Sequence, residues 1–216
     1  EIISDPIKLK QITDNTDLDK DSLLVLLKNI NTIPQEYRDE LLVQGAGIII
    51  DTDNGYILGM IGGRQEKEYL DHFNRSVQAK RQPGSIFKPF IYMTALEQGY
   101  SSTTQLLNQP LILFIDDTTQ WNPQNHDGST GLLTTLRDGL RRSLNLISVR
   151  IVQELINPYD VKKNAVKFGF TTPIRAYDAI ALGTSEVKLL EITSAYSTIA
   201  NNGINIQPTS ITKIED

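Results

Sequence analysis

The segment that most restricts the fold of this chain is SIFKPFIYMTALEQG, residues 85–99, which predicts a helix ending at Gly99. Its apolar residues cover most of the helix circumference and do not form a single stripe; they occupy positions 86, 87, 90, 91, 93, 95 and 96. A helix that is apolar nearly all round is surrounded by other elements of a core. We therefore expect this helix to lie at the centre of a domain.

Turn and helix-stop signals predict the other main elements. Asn54-Gly55 lies between two apolar, β-favouring runs within residues 45–63, which is the strongest short-range indication of a β-hairpin. Apolar spacing and stop signals predict three further helices, over 134–142, 146–156 and 186–200. Ser185 is expected to cap the last of them. The 216 residues are enough for one sizeable domain or two small ones.

The composition excludes several kinds of chemistry. The chain has no cysteine, so disulfides, thiolate metal sites and cysteine nucleophiles are impossible. Its formal net charge of −5, without a long basic block, argues against nucleic acid as a partner. The acidic turn at 51–55 has neither the glycine position nor the glutamate of a calcium loop. We therefore expect neither a metal nor any other cofactor.

The pattern Ser-x-x-Lys carries little information alone, because it occurs three times, at Ser85/Lys88, Ser185/Lys188 and Ser210/Lys213. The last pair lies in a segment predicted to be extended, where residues three apart point to opposite faces. The middle pair is explained by helix capping, with the lysine on the solvated side. Only the first pair places a hydroxyl and an amine as neighbours on a helix.

Ser85 and Lys88 have the properties of a nucleophile and its base. A lysine within an apolar helix is desolvated, which lowers its pKa and favours the neutral amine that takes a proton from serine. The start of the helix also favours negative charge near Ser85. The alternative is that Ser85 caps the helix and Lys88 extends its amine to solvent. These two residues alone leave both interpretations open.

A second short motif strengthens the catalytic interpretation. Ser143-Leu144-Asn145 is the only Ser-x-Asn of the chain and lies 58 residues after Ser85. A second hydroxyl can pass a proton to a leaving amine, and an amide can hold both a substrate carbonyl and the lysine. Ser-x-x-Lys followed by Ser-x-Asn resembles the signature of penicillin-binding proteins and class A β-lactamases. The alternative is an ordinary polar turn between two helices.

Longer stretches resemble the transpeptidase domain of class A penicillin-binding proteins, the bifunctional cell-wall synthases. They are the 45–63 hairpin, HFNRSVQAKRQPGSIFKPFIYMTALEQG, WNPQNHDGSTG and ALGTSEVKLLEITSAYSTIANNG, and they extend over about residues 41–212. The resemblance implies an α+β, serine β-lactamase/transpeptidase-like fold, with a helical subdomain beside an antiparallel sheet. It implies that residues 41–216 are the N-terminal part of this domain. The residues before 41 match no part of the family pattern and are polar and acidic near TDNTDLDKD, so residues 1–40 are expected to be a linker or inter-domain segment.

The resemblance also implies an activity: cross-linking of peptidoglycan stem peptides that end in D-Ala-D-Ala. Ser85 would be acylated with Lys88 as its base, Ser143 would pass the proton and Asn145 would orient substrate and lysine. Four further residues would bind substrate: Trp121, Asn125, Gly183 and Thr184. β-Lactams would acylate the same serine. The domain would act on the stem peptides and their lipid-linked precursor at the periplasmic face of the inner membrane, anchored by a helix absent from this sequence.

The sequence departs from the family pattern in one respect, because it contains no Lys-Thr-Gly or Lys-Ser-Gly motif. In the family this third motif lies on a later strand, so we expect an incomplete sheet, and two strands alone are marginally stable. A second chain, or a strand-exchanged copy, is expected to supply the rest. A catalytically incompetent fragment and a non-catalytic penicillin-binding or sensor module remain alternatives. No Glu-x-x-x-Asn segment follows Ser143, which argues against a β-lactamase.

Overall fold

The computed structural model of the chain describes residues 43–64, 73–114 and 120–214, together with positions 19, 21, 22 and 25. The chain divides into two compact units, Glu1–Gln44 and Gly45–Asp216. Most of residues 1–40 lie outside the described positions, so their assignment as a linker stays a prediction. Within the described positions no helix is long and apolar enough to cross a membrane, and the expected anchor stays a prediction as well.

The second unit combines short helices with very short antiparallel strands. The helices are α1 (Lys88–Glu97), α2 (Leu136–Arg141), α3 (Asn145–Arg150), α4 (Pro158–Lys167) and α5 (Leu189–Ala200). The described residues of this unit also form two 3-10 turns (Gly84–Phe87 and Asp178–Leu182) and one π-helical turn (Ile151–Leu155). The strands are β1 (Gly47–Ile50), β2 (Ile57–Ile61), β3 (Lys80–Arg81), β4 (Gln105–Leu107), β5 (Leu113–Phe114), β6 (Gln120–Trp121), β7 (Leu133–Thr135) and β8 (Val187–Lys188).

The described strands form four separate two-stranded sheets, which pair β1 with β2, β3 with β8, β4 with β7 and β5 with β6. The hairpin predicted from Asn54-Gly55 is confirmed as β1–β2. The connection between β1 and β2 runs from Asp51 to Tyr56. Within it, the Asp51 carboxylate accepts hydrogen bonds from the Asp53 N–H (2.9 Å) and from the Asn54 side-chain amide (2.8 Å). This side-chain turn gives a longer connection than a two-residue one. Helix α5 packs against β1.

Helix α1 lies at the centre of the unit, as its all-round apolar surface predicts. It packs against α2, α3, α4 and the π-helical turn. Phe90 is completely buried, and its ring meets those of Phe168, Phe170 and Tyr196 edge-on at centroid distances of 5.1, 5.4 and 5.8 Å. Each such pair contributes about 0.5–1.5 kcal/mol beyond the area it buries. These contacts surround α1 with other elements and fix its position.

The limits of three helices differ from the prediction, and in two of them strand pairing takes the first residues. The predicted 186–200 helix begins at Leu189, since 187–188 form β8. The prediction that Ser185 caps it is wrong, because the Ser185 hydroxyl accepts from the Arg175 N–H at 3.0 Å. The predicted 134–142 helix begins at Leu136, after β7. The predicted 146–156 helix consists of α3 and the π-helical turn.

A close backbone contact supports the turn that leads into α1. The 3-10 segment 178–182 ends at Gly183 (φ +66°), whose carbonyl accepts from the Gly84 N–H at 3.1 Å. A Cβ atom on Gly183 would lie only 2.2 Å from the Gly84 carbonyl oxygen and 2.9 Å from Cβ of Phe87. Only glycine therefore permits this contact, both for its positive φ and for its missing side chain.

We expect Gly183→Ala to lower the free energy of unfolding by clearly more than Gly203→Ala. Both glycines have positive φ (+66° and +89°). Both substitutions therefore place an L-residue in the left-handed region, which destabilises the fold by roughly 1–2 kcal/mol. Only at Gly183 does the new methyl group meet backbone, since no atom lies within 4 Å of the same group at Gly203. Urea unfolding of both variants measures the difference, and equal losses would contradict the importance of the contact.

Candidate active site

Ser85 lies in the 3-10 turn Gly84–Phe87, and its side chain is exposed. Phe87 is buried at the end of the turn and ties it to the core. The Tyr196 hydroxyl donates to the Ile86 carbonyl at 2.7 Å. Ser85 is thus exposed to solvent on a turn that is stabilised by contacts with α5 and with Gly183.

Lys88 is the first residue of α1 and is 1% exposed. Its amine lies within hydrogen-bond distance of the Ser143 carbonyl (2.6 Å), the Ser143 hydroxyl (3.0 Å) and the Asn145 side-chain oxygen (2.7 Å). None of these partners is a carboxylate, and burial lowers the pKa of Lys88 to about 8. The alternative in which the amine reaches solvent is wrong, because the side chain ends inside the protein.

The structure joins Lys88 to Ser143 and Asn145 more directly than to Ser85. Among the described residues, no hydrogen bond links the Lys88 amine to the Ser85 hydroxyl, although both residues lie at the same end of α1. Catalytic hydrogen bonds often form only when substrate is bound. The predicted role of Lys88 as the base for Ser85 therefore stays a prediction.

Ser143 has a left-handed backbone conformation, with φ of +54°. It follows α2 at the position that glycine usually occupies: its N–H donates to the Leu140 carbonyl (3.0 Å), and the Leu144 N–H donates to the Gly139 carbonyl (2.9 Å). These two bonds define a Schellman motif. In this conformation both oxygens of Ser143, the carbonyl and the exposed hydroxyl, lie beside the Lys88 amine. The Ser-x-Asn segment is indeed a polar turn between two helices, and Lys88 binds to it.

Asn145 connects Lys88 to the loop at 122–131. Its side-chain oxygen accepts from the lysine, and its NH₂ group donates to the Gln124 carbonyl at 2.8 Å. Asn125, the next residue of the loop, accepts from the Leu146 N–H at 3.0 Å. The loop is therefore bonded to the first two residues of α3.

The four predicted substrate-binding residues lie in different surroundings. Asn125 is nearly buried, and its amide donates to Asn108 (2.7 Å) and to the Gly128 carbonyl (2.9 Å), so all its described contacts are internal. Trp121 is half-buried against the core. Gly183 supports the turn Gly84–Phe87, and the Thr184 hydroxyl donates to the Ala179 carbonyl at 3.0 Å. Their contact with substrate stays a prediction.

Three contacts that build this site have no signature in the sequence. Tyr196 belongs to an apolar helical stripe, and nothing in that stripe indicates that its hydroxyl holds the turn beside Ser85. The Gln124 partner of Asn145 is a backbone carbonyl, which any residue type would provide. The Asp127–Arg142 ion pair at 2.6 Å links the loop to the residue before Ser143, but the two lie 15 positions apart.

No group of three or more metal-binding side chains occurs in the part of the chain that the structure describes. The groups that accept from the Lys88 amine are a backbone carbonyl, a hydroxyl and a neutral amide, and this set lacks the carboxylate or imidazole ligands of a typical metal site. The Lys88 amine, with its lowered pKa, lies close enough to the Ser143 hydroxyl to exchange a proton with it.

Comparison with known proteins identifies relatives for most of the chain. Residues 45–216 match the sequence profile of the penicillin binding protein transpeptidase domain. The chain is 37% identical over 180 residues to penicillin-binding protein 1A of Neisseria meningitidis and 37% identical over 175 residues to that of Pseudomonas aeruginosa. These alignments cover 82% and 80% of this chain but 22% and 21% of the relatives. The chain thus spans about a fifth of the length of these curated relatives.

The fold is similar to that of a solved relative. The crystal structure of penicillin-binding protein 1A from Haemophilus influenzae superposes with a TM-score of 0.73 at 32% identity. The match covers 80% of this chain and 26% of that one. The predicted α+β, serine β-lactamase/transpeptidase-like fold is therefore confirmed.

We expect Ser143→Gly to be more stable than Ser143→Ala by about 1 kcal/mol, because only glycine adopts the left-handed conformation without cost. Both variants lose the same hydroxyl, so the difference reports on the backbone. Arg142, one residue earlier, is the matched control: its φ is −92°, and alanine there should be more stable than glycine. Urea unfolding of the four variants is the measurement, and the same order at both positions would contradict a strained Ser143.

Proposed function

This chain belongs to the penicillin binding protein transpeptidase family, and we propose that it carries the acyl-transfer centre of a peptidoglycan D,D-transpeptidase. Its substrates would be stem peptides ending in D-Ala-D-Ala, free or on the lipid-linked precursor. The observation that carries this proposal is the buried Lys88 amine, which is bonded to Ser143 and Asn145 near the exposed Ser85.

The first half-reaction begins with the neutral form of Lys88. A neutral amine donates two hydrogen bonds and keeps a lone pair that accepts a proton. In the proposed step the Ser85 oxygen attacks the carbonyl of the penultimate D-Ala, and its proton passes to the Lys88 amine. The Ser85 backbone N–H would be one donor to the oxyanion. Since the pKa of Lys88 is about 8, about a tenth of the protein has the neutral amine at pH 7.

The second part of the reaction uses the 3.0 Å contact between Lys88 and the Ser143 hydroxyl. When the peptide bond breaks, Ser143 gives its proton to the leaving D-Ala amine and takes one from Lys88. An ester between the donor peptide and Ser85 remains. An acceptor amine of a neighbouring stem peptide then attacks this ester and releases its proton along the same path to Ser85. Asn145 would hold Lys88 and the substrate backbone in position.

The proposed setting follows from the relatives and not from the described residues. We place the domain outside the cytoplasmic membrane, within a larger anchored, bifunctional synthase that contributes to cell-wall growth and cell shape. The expected second chain or strand-exchanged copy has no support in the structure or in the relatives. A catalytically incompetent fragment is the main alternative, and it is distinguished by whether Ser85 reacts.

Incubation with excess benzylpenicillin should add one penicillin mass to the chain, because a β-lactam carbonyl is attacked by the same activated serine. Ser85→Ala should show no adduct. Intact-mass spectrometry is the measurement, with Ser210→Ala as the matched control, since Ser210 lies in the other exposed Ser-x-x-Lys pattern. An adduct that persists in Ser85→Ala, or its absence from the folded parent chain, would contradict the proposal.

The rate of this acylation should rise with pH, with a midpoint near 8. Burial lowers the pKa of Lys88 to about 8, and the neutral amine that accepts the proton accumulates above that value. Between pH 7 and the plateau the rate constant should increase about tenfold. The measurement is mass spectrometry of samples quenched at successive times, from pH 6.5 to 9.5. The rates are corrected for the hydrolysis of benzylpenicillin in the absence of protein. A rate that is flat or falls across this range would exclude Lys88 as the base.

A further inference from the structure

We propose that Glu191 is a positioning residue for the acylation of Ser85, because its carboxylate closes the loop formed by residues 171–188. This inference rests on the proposed function, and it assigns a role to a charged side chain that is separate from the group around Lys88. Glu191 belongs to the first turn of α5 and is 7% exposed. A buried carboxylate needs hydrogen bonds or a cation to compensate for lost hydration, so its partners show what it joins.

Both ends of the 171–188 loop are bonded to this one carboxylate. Its Oε1 atom accepts from the N–H groups of Thr171 (3.1 Å) and Thr172 (2.9 Å) and from the Thr171 hydroxyl. Its Oε2 atom accepts from the Thr172 hydroxyl (2.6 Å) and from the Lys188 N–H (3.2 Å). A single side chain therefore holds the beginning and the end of the loop together.

The hydrogen bonds favour the ionised form of Glu191. Burial alone would raise the pKa of Glu191, but the bonds from the two threonines and from the Lys188 N–H together lower it below its ordinary value. An ionised carboxylate offers only acceptors, whereas a glutamine amide would turn its NH₂ group towards some of these donors. Glu191→Gln therefore keeps the size of the side chain and removes part of the bonds that close the loop.

The 171–188 loop lies along the backbone that leads to Ser85 and carries it. At the end of the loop, β8 pairs with β3, the strand that precedes the turn Gly84–Phe87. The Gly183 carbonyl of the loop accepts from the Gly84 N–H at 3.1 Å. The 3-10 segment of the loop also packs against the turn itself. The backbone around Ser85 is thus supported by a loop that Glu191 closes.

The position of Gly183 depends on the residues on either side of it. Glycine has more conformational freedom than any other residue, so it does not hold its own carbonyl in place. Within the loop, the Thr184 hydroxyl donates to the Ala179 carbonyl, and the Ser185 hydroxyl accepts from the Arg175 N–H, both at 3.0 Å. These short-range bonds hold the interior of the loop, and the Glu191 carboxylate holds its ends. Weakening the bonds at the ends should let the Gly183 carbonyl move away from the Gly84 N–H.

Hydrogen exchange of the ¹⁵N-labelled chain, followed by NMR, measures this effect. In Glu191→Gln the Gly84 N–H should exchange about tenfold faster relative to the Ile91 N–H, because the bond to Gly183 opens more often. Ile91 is completely buried in α1 and serves as the reference for opening of the whole unit. A variant that only destabilises the unit would speed exchange at both amides together.

Asn164→Ala is the matched control, since Asn164 is buried and lies outside the 171–188 loop. Its side-chain amide donates to Thr94 (3.1 Å) and to Glu97 (2.6 Å), in the C-terminal half of α1. The substitution removes hydrogen bonds of a buried polar side chain, as Glu191→Gln does, but at a distance along α1 from Lys88. The ratio of Gly84 to Ile91 exchange should remain that of the parent chain.

Acylation by benzylpenicillin tests the positioning role itself. At saturating benzylpenicillin the rate constant should fall about tenfold in Glu191→Gln, while the final adduct stays at one per folded chain. A loss of stability alone would reduce the number of folded chains and leave the rate constant of the folded ones unchanged. Thr172→Val, which removes one hydroxyl donor to the carboxylate, is a second variant should the first fail to fold, and it should show a smaller decrease.

The inference would be overturned by an unchanged rate constant in both variants or by an equal decrease in Asn164→Ala. It would also be overturned if Glu191→Gln left the exchange of the Gly84 N–H at the ratio of the parent chain. Absence of a penicillin adduct from the parent chain would instead refute the proposed function. The exchange experiment needs no reaction at Ser85, so it would then still decide whether Glu191 holds the turn.

Discussion

The burial of one amine organises the site. Lys88 begins a helix whose surroundings are apolar nearly all round, and a lysine in such a place is costly unless its N–H groups find acceptors. The protein supplies them from Ser143 and Asn145. To do so, the chain adopts a left-handed conformation at Ser143 and ties Asn145 to a loop carbonyl. These hydrogen bonds stabilise the buried amine. Burial also lowers the pKa of Lys88 to about 8, so the amine gains or loses a proton near neutral pH.

The Gly84–Phe87 turn, which carries Ser85, depends on contacts with α5 and with Gly183. Gly183 meets Gly84 backbone to backbone, and Tyr196 bonds to the Ile86 carbonyl. Neither contact touches Ser85 itself, yet together they hold the backbone on both sides of it. Precise placement of a reacting group is worth a large share of a catalytic rate, so such supports matter as much as the reacting groups themselves. The site is therefore a joint product of α1, the turn after α2 and the segment around Gly183.

Local patterns in the sequence predicted much of this arrangement. The hairpin and the central position of α1 follow from turn chemistry and from apolar residues a few positions apart, whereas the same patterns left open whether Lys88 is buried or reaches solvent. Other features depend on residues far apart in the chain and have no local signature. The pairing of β3 with β8 shortened a predicted helix and gave Ser185 a different partner, and it joins segments that are separated by over a hundred residues. Likewise, no pattern marks Ser143 as left-handed, because glycine usually occupies that position.

The hydrogen bond from Tyr196 to the Ile86 carbonyl, beside Ser85, has a consequence for biosynthesis, since its two partners lie 110 residues apart. A chain made from its N-terminus at 5–20 residues per second needs about 5 to 20 seconds to add that many residues. During this interval Ser85 and Lys88 have been synthesised, but the elements that orient their turn have not. The turn that carries Ser85 therefore gains its Tyr196 support only after the intervening 110 residues have been synthesised.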